Sequence, residues 1–306
     1  MSIKEKQPNF FIVGAPKCGT TSMYSYLSSH PDIFFPEVKE PHHFGSDIYS
    51  PLYVRDREEY LALFSGSSGE SVVGEASVWY LYSTKAAKEI QAFCPKAKIL
   101  VMLRNPADMV YSYHSQRLAW GNEDIRDFSQ ALNAEGERKK GRRLPSHNPY
   151  PVAGLYYSEI AKYAAQVERY LEAFGQDRVH IVLFDDFKSS TAAVYQNILQ
   201  FLEVDLNHQP EFVVENPNRS RRSMLLHNLL YHAPGKLVSA GKLVVPGALR
   251  KPLWHFLARA NTSYHQRPGI TEELRQRLLE NYREDVLQLS RIINRDLETL
   301  WLNRTA

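Results

Sequence analysis

Short apolar runs at 10–13, 99–103 and 179–184 stand out from their polar surroundings, and 72–73, just before Gly74 and Glu75, begins a fourth. They are rich in β-branched or aromatic residues and give way to turn or polar residues, as strands buried on both faces do. Helical patterns lie between and after them, at 21–29, 84–93, 107–120, 158–174 and 192–202. Strands alternating with helices predict an α/β three-layer fold, a central parallel sheet flanked by helices. A last helical stretch, 271–301, opens with Thr271, Glu272 and Glu273, a suitable helix start. The stretch 135–151 is polar and basic and reads as an exposed loop. The stretch 225–266 mixes large apolar residues with Lys, Arg, Pro and Gly at no regular period. It reads as a mostly helical cap or insertion near the C-terminus. No repeat or linker divides residues 1–306, so a single domain is expected.

Composition narrows the function. The net charge is only +3, from 37 basic and 34 acidic residues, which argues against a nucleic-acid partner but leaves room for a local basic pocket. Two cysteines, Cys18 and Cys94, make no disulfide framework and fit a reducing compartment. Residues 1–9 are polar, without a signal-type apolar region, and no stretch reaches the length of a membrane span. A cytoplasmic location is expected.

The first strand runs into Gly14-Ala15-Pro16-Lys17-Cys18-Gly19-Thr20-Thr21-Ser22, where a helix starts. Free N–H groups at a helix start, with the helix dipole behind them, form an anion site. Gly19 allows close backbone approach, Lys17 adds a point charge, and Thr20, Thr21 and Ser22 add hydroxyls. A nucleoside-triphosphate loop would place Lys-Ser/Thr directly after its last glycine. Here the lysine precedes Gly19, so the usual magnesium-ligating arrangement is absent.

Pro16-Lys17-Cys18-Gly19-Thr20-Thr21-Ser22 resembles the 5′-phosphosulfate loop of the sulfotransferases that use PAPS (3′-phosphoadenosine 5′-phosphosulfate), with its form Pro-Lys-x-Gly-Thr-Thr/Ser. The resemblance implies a P-loop-like fold, PAPS as donor, adenosine 3′,5′-bisphosphate as product, and no metal requirement. It implies that Lys17 stabilises charge on the leaving phosphate while Cys18, Gly19, Thr20, Thr21 and Ser22 complete the cradle. Lys17 and the helix start would lower the pKa of the Cys18 thiol and make it nucleophilic. Because relatives carry several small residues there, a space-filling role is the preferred reading.

A second element should hold the 3′-phosphate. Leu103-Arg104-Asn105-Pro106 closes an inner strand, where ligands bind in open α/β sheets, and Pro106 suits the first turn of the next helix. Ser112 lies on that helix. An arginine fork and a hydroxyl are natural phosphate ligands. The pair resembles the family's 3′-phosphate element, an arginine with a serine eight residues later. An ion pair of Arg104 with Asp108 or Glu123 is the competing reading. Asn218-Arg219-Ser220-Arg221-Arg222 is a further basic cluster. It resembles the late basic segment that closes over the 3′-phosphate and adenine, with Arg219 and Arg222 as candidates.

Sulfuryl transfer to a hydroxyl needs a base near the loop. Lys39-Glu40-Pro41-His42-His43-Phe44 offers a carboxylate and an imidazole. Proline favours an extended backbone at Glu40, and extended geometry would point Glu40 and His42 to one side. The segment resembles the Glu-x-His-Phe-Phe stretch of the heparan-sulfate-type branch, which implies Glu40 as general base and His42 as its assistant. It departs from that stretch at His43 and at Gly45. Glu75 is the competing base, in a run resembling the family's Glu-Lys-Ser/Thr-x-x-Tyr, but Ala76 stands where relatives often carry lysine. His114, on the helix of Ser112, is a lesser candidate.

For the acceptor, resemblance to the carbohydrate branch implies a saccharide hydroxyl, with a lipid-linked or small-molecule alcohol next and an amine after it. The run Arg138-Lys139-Lys140-Gly141-Arg142-Arg143 could recruit an anionic polymer or phospholipid, or be a solvated loop. The 225–266 segment could be a lid, touch a membrane, or simply pack on the core. Two other functions compete. One is an ATP-dependent kinase, with Asp185-Asp186 as a magnesium site after the 179–184 strand. The other is a non-catalytic nucleotide-binding domain.

Overall fold

The computed structural model describes residues 6–146, 148–213, 220–221, 262–263 and 269–303. Five parallel strands form the central sheet: β1 (Phe10–Gly14), β2 (Ile33–Phe34), β3 (Val72–Ala76), β4 (Lys98–Leu103) and β5 (Val179–Leu183), in the order β2-β3-β1-β4-β5. β1 and β3 are buried along their whole lengths, as expected for inner strands covered on both faces.

Helices α1 (Thr20–Ser28), α2 (Arg57–Ala62), α3 (Ala86–Phe93) and α4 (Pro106–Trp120) connect or follow the first four strands. Then come α5 (Phe128–Asn133), α6 (Glu135–Arg138), α7 (Tyr157–Ile160), α8 (Ala164–Phe174), α9 (Phe184–Ser189) and α10 (Thr191–Leu202). The long helix α11 (Glu272–Ile292) packs on α4 and α8, and a final turn follows at Glu298–Leu302. A short antiparallel pair, β6 (Ser220–Arg221) and β7 (Thr262–Ser263), lies with β6 against α4. Almost all of the expected cap at 225–266 lies outside the described residues, as do Arg219 and Arg222.

Three expectations change. The helical stretch 158–174 divides into α7 and α8, because the Asp285 carboxylate on α11 accepts from Tyr163 N at 2.7 Å and from Ala164 N at 3.2 Å. The last helical stretch ends at Ile292 rather than running through to 301. The stretch 135–151 is not simply an exposed loop: it begins with α6, in which Glu135 and Arg138 are buried. Arg138 pairs with Glu123 at 2.6 Å, both side chains closed to solvent, and Tyr157 donates to the same carboxylate at 2.8 Å. A buried charge persists when paired and hydrogen-bonded in this way.

The chain leaves β1 toward β2 and β3 on one side of the sheet and returns to β4 and β5 on the other. The gap between the ends of β1 and β4 is therefore the topological switch point, where open α/β sheets bind ligands.

Candidate active site

The loop after β1 crosses this switch point. Ala15 N donates to Met102 O at 2.7 Å, which pins the loop to β4. Gly19 caps α1 at φ 87°, without a side-chain cap, so the first-turn amides are left for a ligand. A Cβ at Gly19 would come within 2.9 Å of Phe187 Cε1, so the position demands glycine for space as well as for backbone. Thr20 and Ser22 are buried and Thr21 is half-buried in that first turn.

Lys17 is half-buried at φ 62°. Burial lowers its pKa and the neighbouring Arg104 lowers it further, while Cys18 and Glu40 act to raise it. The Cys18 side chain points into the core, its Sγ donating to Pro16 O at 3.4 Å, and burial pushes the thiol up to about 12. A buried thiol that holds its proton in this way is a poor nucleophile, which agrees with the space-filling reading of the side chain.

Arg104 ends β4 beside the loop. Its Nη1 donates to Lys17 O at 3.3 Å, and its guanidinium lies 4.7 Å from the centre of the Phe184 ring. Neither competing carboxylate takes it: Asp108 pairs with Arg275, and Glu123 with Arg138. Asn105 caps α4, its side-chain oxygen accepting from Ala107 N at 3.0 Å, with Pro106 in the first turn. Ser112 is half-exposed on α4, the helix against which β6 lies. The basic cluster 218–222 thus reaches the helix of Ser112 through its described backbone at Ser220 and Arg221.

Glu40 is not extended. Its φ is 64° and that of His42 is 50°. The end of β3 imposes this turn, because Glu40 N donates to Ala76 O at 3.0 Å and His42 N to Ser77 Oγ at 3.0 Å. The two side chains nonetheless meet, with His42 Nε2 3.4 Å from Glu40 Oε2. Lys39 Nζ donates to Glu40 Oε1 at 2.6 Å. Burial pushes the Glu40 carboxyl up, but Lys39 and His42 outweigh it and hold the group at about 2. Burial keeps the pKa of His42 low, so the imidazole tends to neutrality.

Glu75, on β3, is fully buried. Tyr80 and Tyr60 donate to its Oε2 at 2.8 and 3.0 Å. Burial raises it to about 7. Both tyrosines are themselves buried. His114 is a core histidine, its ring nitrogen Nε2 2.8 Å from Ile125 O.

Residues that carry no motif complete the site. The Arg55 guanidinium takes four carbonyls of the segment after His42: His43 O at 2.7 Å, Phe44 O at 2.9 Å, Gly45 O at 3.0 Å and Ile48 O at 2.5 Å. Tyr53 lies 4.4 Å from His42, ring to ring. Nothing in the surrounding sequence marks either residue; only the neighbouring Lys39-Glu40 pair was visible there.

The basic run after Glu137 is largely neutralised. Arg138 pairs with Glu123, Lys139 with Glu159, and Lys140 and Arg142 with Glu137. These pairings favour a solvated loop over recruitment of a polyanion. The two aspartates after β5 are likewise committed to structure: Trp301 donates to Asp185 at 3.0 Å, and Asp186 pairs with Arg295 at 3.0 Å.

A parallel sheet of this order, with a lysine loop after its central strand and an arginine at the end of the next, defines an anion-binding α/β protein. Residues 7–228 match the model of the family described as Sulfotransferase domain, and the chain belongs to that family. It is similar over 97% of its length to the crystal structure of a sulfotransferase from Alicyclobacillus acidocaldarius, with 31% identity, a TM-score of 0.72 and 99% of that chain covered. It is 26% identical to carbohydrate sulfotransferase 15 of Rattus norvegicus over 64% of this chain and 44% of that protein. It is 29% identical to bifunctional heparan sulfate N-deacetylase/N-sulfotransferase 2 of Homo sapiens over 65% of this chain and 22% of that one. The match therefore spans less than half the length of either curated relative. The fold is that of a P-loop-like transferase. Among the described residues no helix is long and apolar enough to cross a membrane.

Proposed function

We propose that this chain moves a sulfuryl group from PAPS to an acceptor hydroxyl, with Glu40 as general base. The observation that carries the reading is the convergence of Lys17, Arg104 and Glu40 on one end of the sheet. Arg104 at the end of β4 bonds the loop of Lys17, and Glu40 N is bonded to Ala76 O at the same end of β3. The residues fit the donor: first-turn amides without a side-chain cap, a lysine, and an arginine that pairs with no carboxylate among the described residues. Lys17 and the main chain of 18–22 would hold the 5′-phosphosulfate. Arg104 and Ser112 would hold the 3′-phosphate, with Arg219 and Arg222 as further candidates. When bound, PAPS supplies an activated sulfuryl group on a phosphate leaving group.

Glu40 takes the acceptor proton on a carboxylate oxygen. His42 Nε2 orients Oε2, while Lys39 occupies Oε1. A carboxylate held at about 2 is a weak base, so the arriving hydroxyl has to displace Lys39 from Oε1 for the basicity of Glu40 to recover. Lys17 stabilises the charge that develops on the phosphate oxygen, a role for which a pre-placed cation is effective.

The carbohydrate and heparan sulfate relatives support a saccharide acceptor, ahead of a lipid-linked or small-molecule alcohol and of an amine. A cytoplasmic location belongs to the same proposal, and the free thiols of Cys18 and Cys94 agree with it. The kinase reading is disfavoured by the structural engagement of Asp185 and Asp186. Calorimetry with adenosine 3′,5′-bisphosphate, ADP and ATP in chelator tests the donor. A clear preference for the 3′-phosphorylated ligand is expected, and equal affinity for all three defeats the reading. Turnover of labelled PAPS separates the enzyme from a non-catalytic binding domain.

A further inference from the structure

Trp301 is fully buried in the turn at Glu298–Leu302, beyond residue 228 where the family match ends. A buried indole usually finds a partner for its N–H. Here Nε1 donates to Asp185 Oδ2 at 3.0 Å. The main-chain oxygen of the same residue accepts from Asn105 Nδ2 at 3.1 Å. The ring packs on that of Tyr163, with 6.5 Å between centres.

Both hydrogen bonds land beside one feature of the donor site. Asn105 follows Arg104 in the chain, and Asp185 follows Phe184. Arg104 and Phe184 are the guanidinium and ring that lie 4.7 Å apart. One residue thus ties down the strand end that carries the arginine and the start of α9 that carries the ring. Asn105 is used twice: its Oδ1 accepts from Ala107 N at 3.0 Å and caps α4, while Nδ2 reaches Trp301 O. Arg275 on α11 takes both carboxylate oxygens of Asp108 in the same first turn. α4 also carries Ser112, the other proposed 3′-phosphate ligand. The lysine loop is held differently. It is pinned by Ala15 N to Met102 O and by Arg104 Nη1 to Lys17 O, bonds made within the family-matched stretch.

We infer that Trp301 is a positioning residue for 3′-phosphate recognition: by holding Asn105 and Asp185 at once, it fixes the Arg104 fork over Phe184 and sets where α4 presents Ser112. The inference rests on the proposed function, in which Arg104 and Ser112 hold that phosphate. An arginine fork recognises phosphate by direction as well as by charge, so its contribution falls when its anchorage loosens. Trp301 acts through its two partners and itself touches no ligand.

The test is calorimetry with adenosine 3′,5′-bisphosphate and with ADP, which lacks the 3′-phosphate, on the wild type, Trp301→Phe and Asn105→Ser. Trp301→Phe keeps a buried ring but loses the N–H to Asp185. Asn105→Ser keeps an oxygen to cap α4 but loses the donor to Trp301 O, and it serves if Trp301→Phe does not fold. Each variant should lose about tenfold in affinity for the 3′-phosphorylated ligand and little for ADP, the size of one charge-assisted hydrogen bond. KM for PAPS should rise with kcat nearly unchanged, as when binding shared by ground and transition states is lost. A merely structural role weakens both ligands alike or neither, and either result in a folded variant overturns the inference while leaving the proposed function standing. Equal affinity of the wild type for the two ligands instead strikes the proposed function, and the inference with it.

Discussion

Arg104 Nη1 donates to the main-chain oxygen of Lys17 at 3.3 Å, so the end of β4 is fastened to the loop that follows β1. Two cations are thereby held side by side, and the pKa of Lys17 is lowered first by burial and then by Arg104. Like charges crowded in this way repel, and a polyanionic ligand relieves the repulsion. Lys17→Ala should therefore weaken adenosine 3′,5′-bisphosphate binding and lower turnover by about 10²–10³-fold, the usual effect of removing one group aimed at developing charge. Arg104→Lys keeps a charge but loses the planar fork and the stacking on Phe184. It should cost affinity for the 3′-phosphorylated ligand while leaving that for ADP nearly unchanged. Calorimetry on both variants checks this.

Gly19 tests the cradle in a different way. At φ 87°, with Phe187 Cε1 2.9 Å from where a Cβ would stand, Gly19→Ala strains the backbone and pushes on an aromatic ring. A stability loss of about 1–3 kcal/mol is expected, with weaker ligand binding because the first-turn amides shift. Thermal unfolding with and without adenosine 3′,5′-bisphosphate measures both effects.

Glu40→Gln should bind adenosine 3′,5′-bisphosphate normally and lose transfer. The pH behaviour follows from the sign of the shift. Glu40 is held at about 2, below its ordinary value of 4.5, so it is ionised throughout the neutral range. The stability it contributes is present above 4.5 and is lost as pH falls toward 2. Lys39→Ala removes the leading cause of the depression, so the free enzyme's carboxyl should titrate higher and the acid limb of kcat/KM should move up in pH. An unchanged acid limb in that variant would argue against Glu40 as the base.

Arg55 holds the base-bearing segment through four carbonyls. Arg55→Ala should lower stability by about 2 kcal/mol, in line with lost hydrogen bonds to a charged donor. Turnover should fall more than donor affinity does, because small displacements of a reacting group are costly. Unfolding midpoints, kcat and donor Kd, measured together, separate the two.

Much of this architecture is visible along the chain, and what is hidden shares one cause. β1, β4 and β5 show as apolar runs because both of their faces are covered. β2, at two residues, is too short to carry a period. The break between α7 and α8 depends on Asp285, more than a hundred residues away, and no local pattern can announce it. The Glu40–His42 meeting is legible as a short spacing, but its stated geometry fails. The N–H groups at that turn are claimed by Ala76 O and Ser77 Oγ, which overrides the extended preference before Pro41. Arg55 and Arg117 look like ordinary surface arginines in sequence, and only the tertiary fold brings carbonyls and aromatic rings around them.

Glu75 separates the two candidate bases by stability rather than by rate. Burial raises its carboxyl to about 7, above the ordinary 4.5, while Tyr60 and Tyr80 donate to one of its oxygens. A folded-state pKa above the unfolded value means that the contribution is full below about 4.5 and is lost as pH rises through 7. At pH 8 the wild type thus carries a buried charge. Glu75→Gln keeps an acceptor oxygen for the tyrosines and removes that charge. The variant should be more stable than wild type at pH 8, by an amount on the order of 3 kcal/mol at most, and no more stable at pH 4. If Glu75 were instead the base, the same variant would lose turnover outright while Glu40→Gln retained it. Parallel unfolding curves at the two pH values, with turnover measured on both variants, distinguish these outcomes.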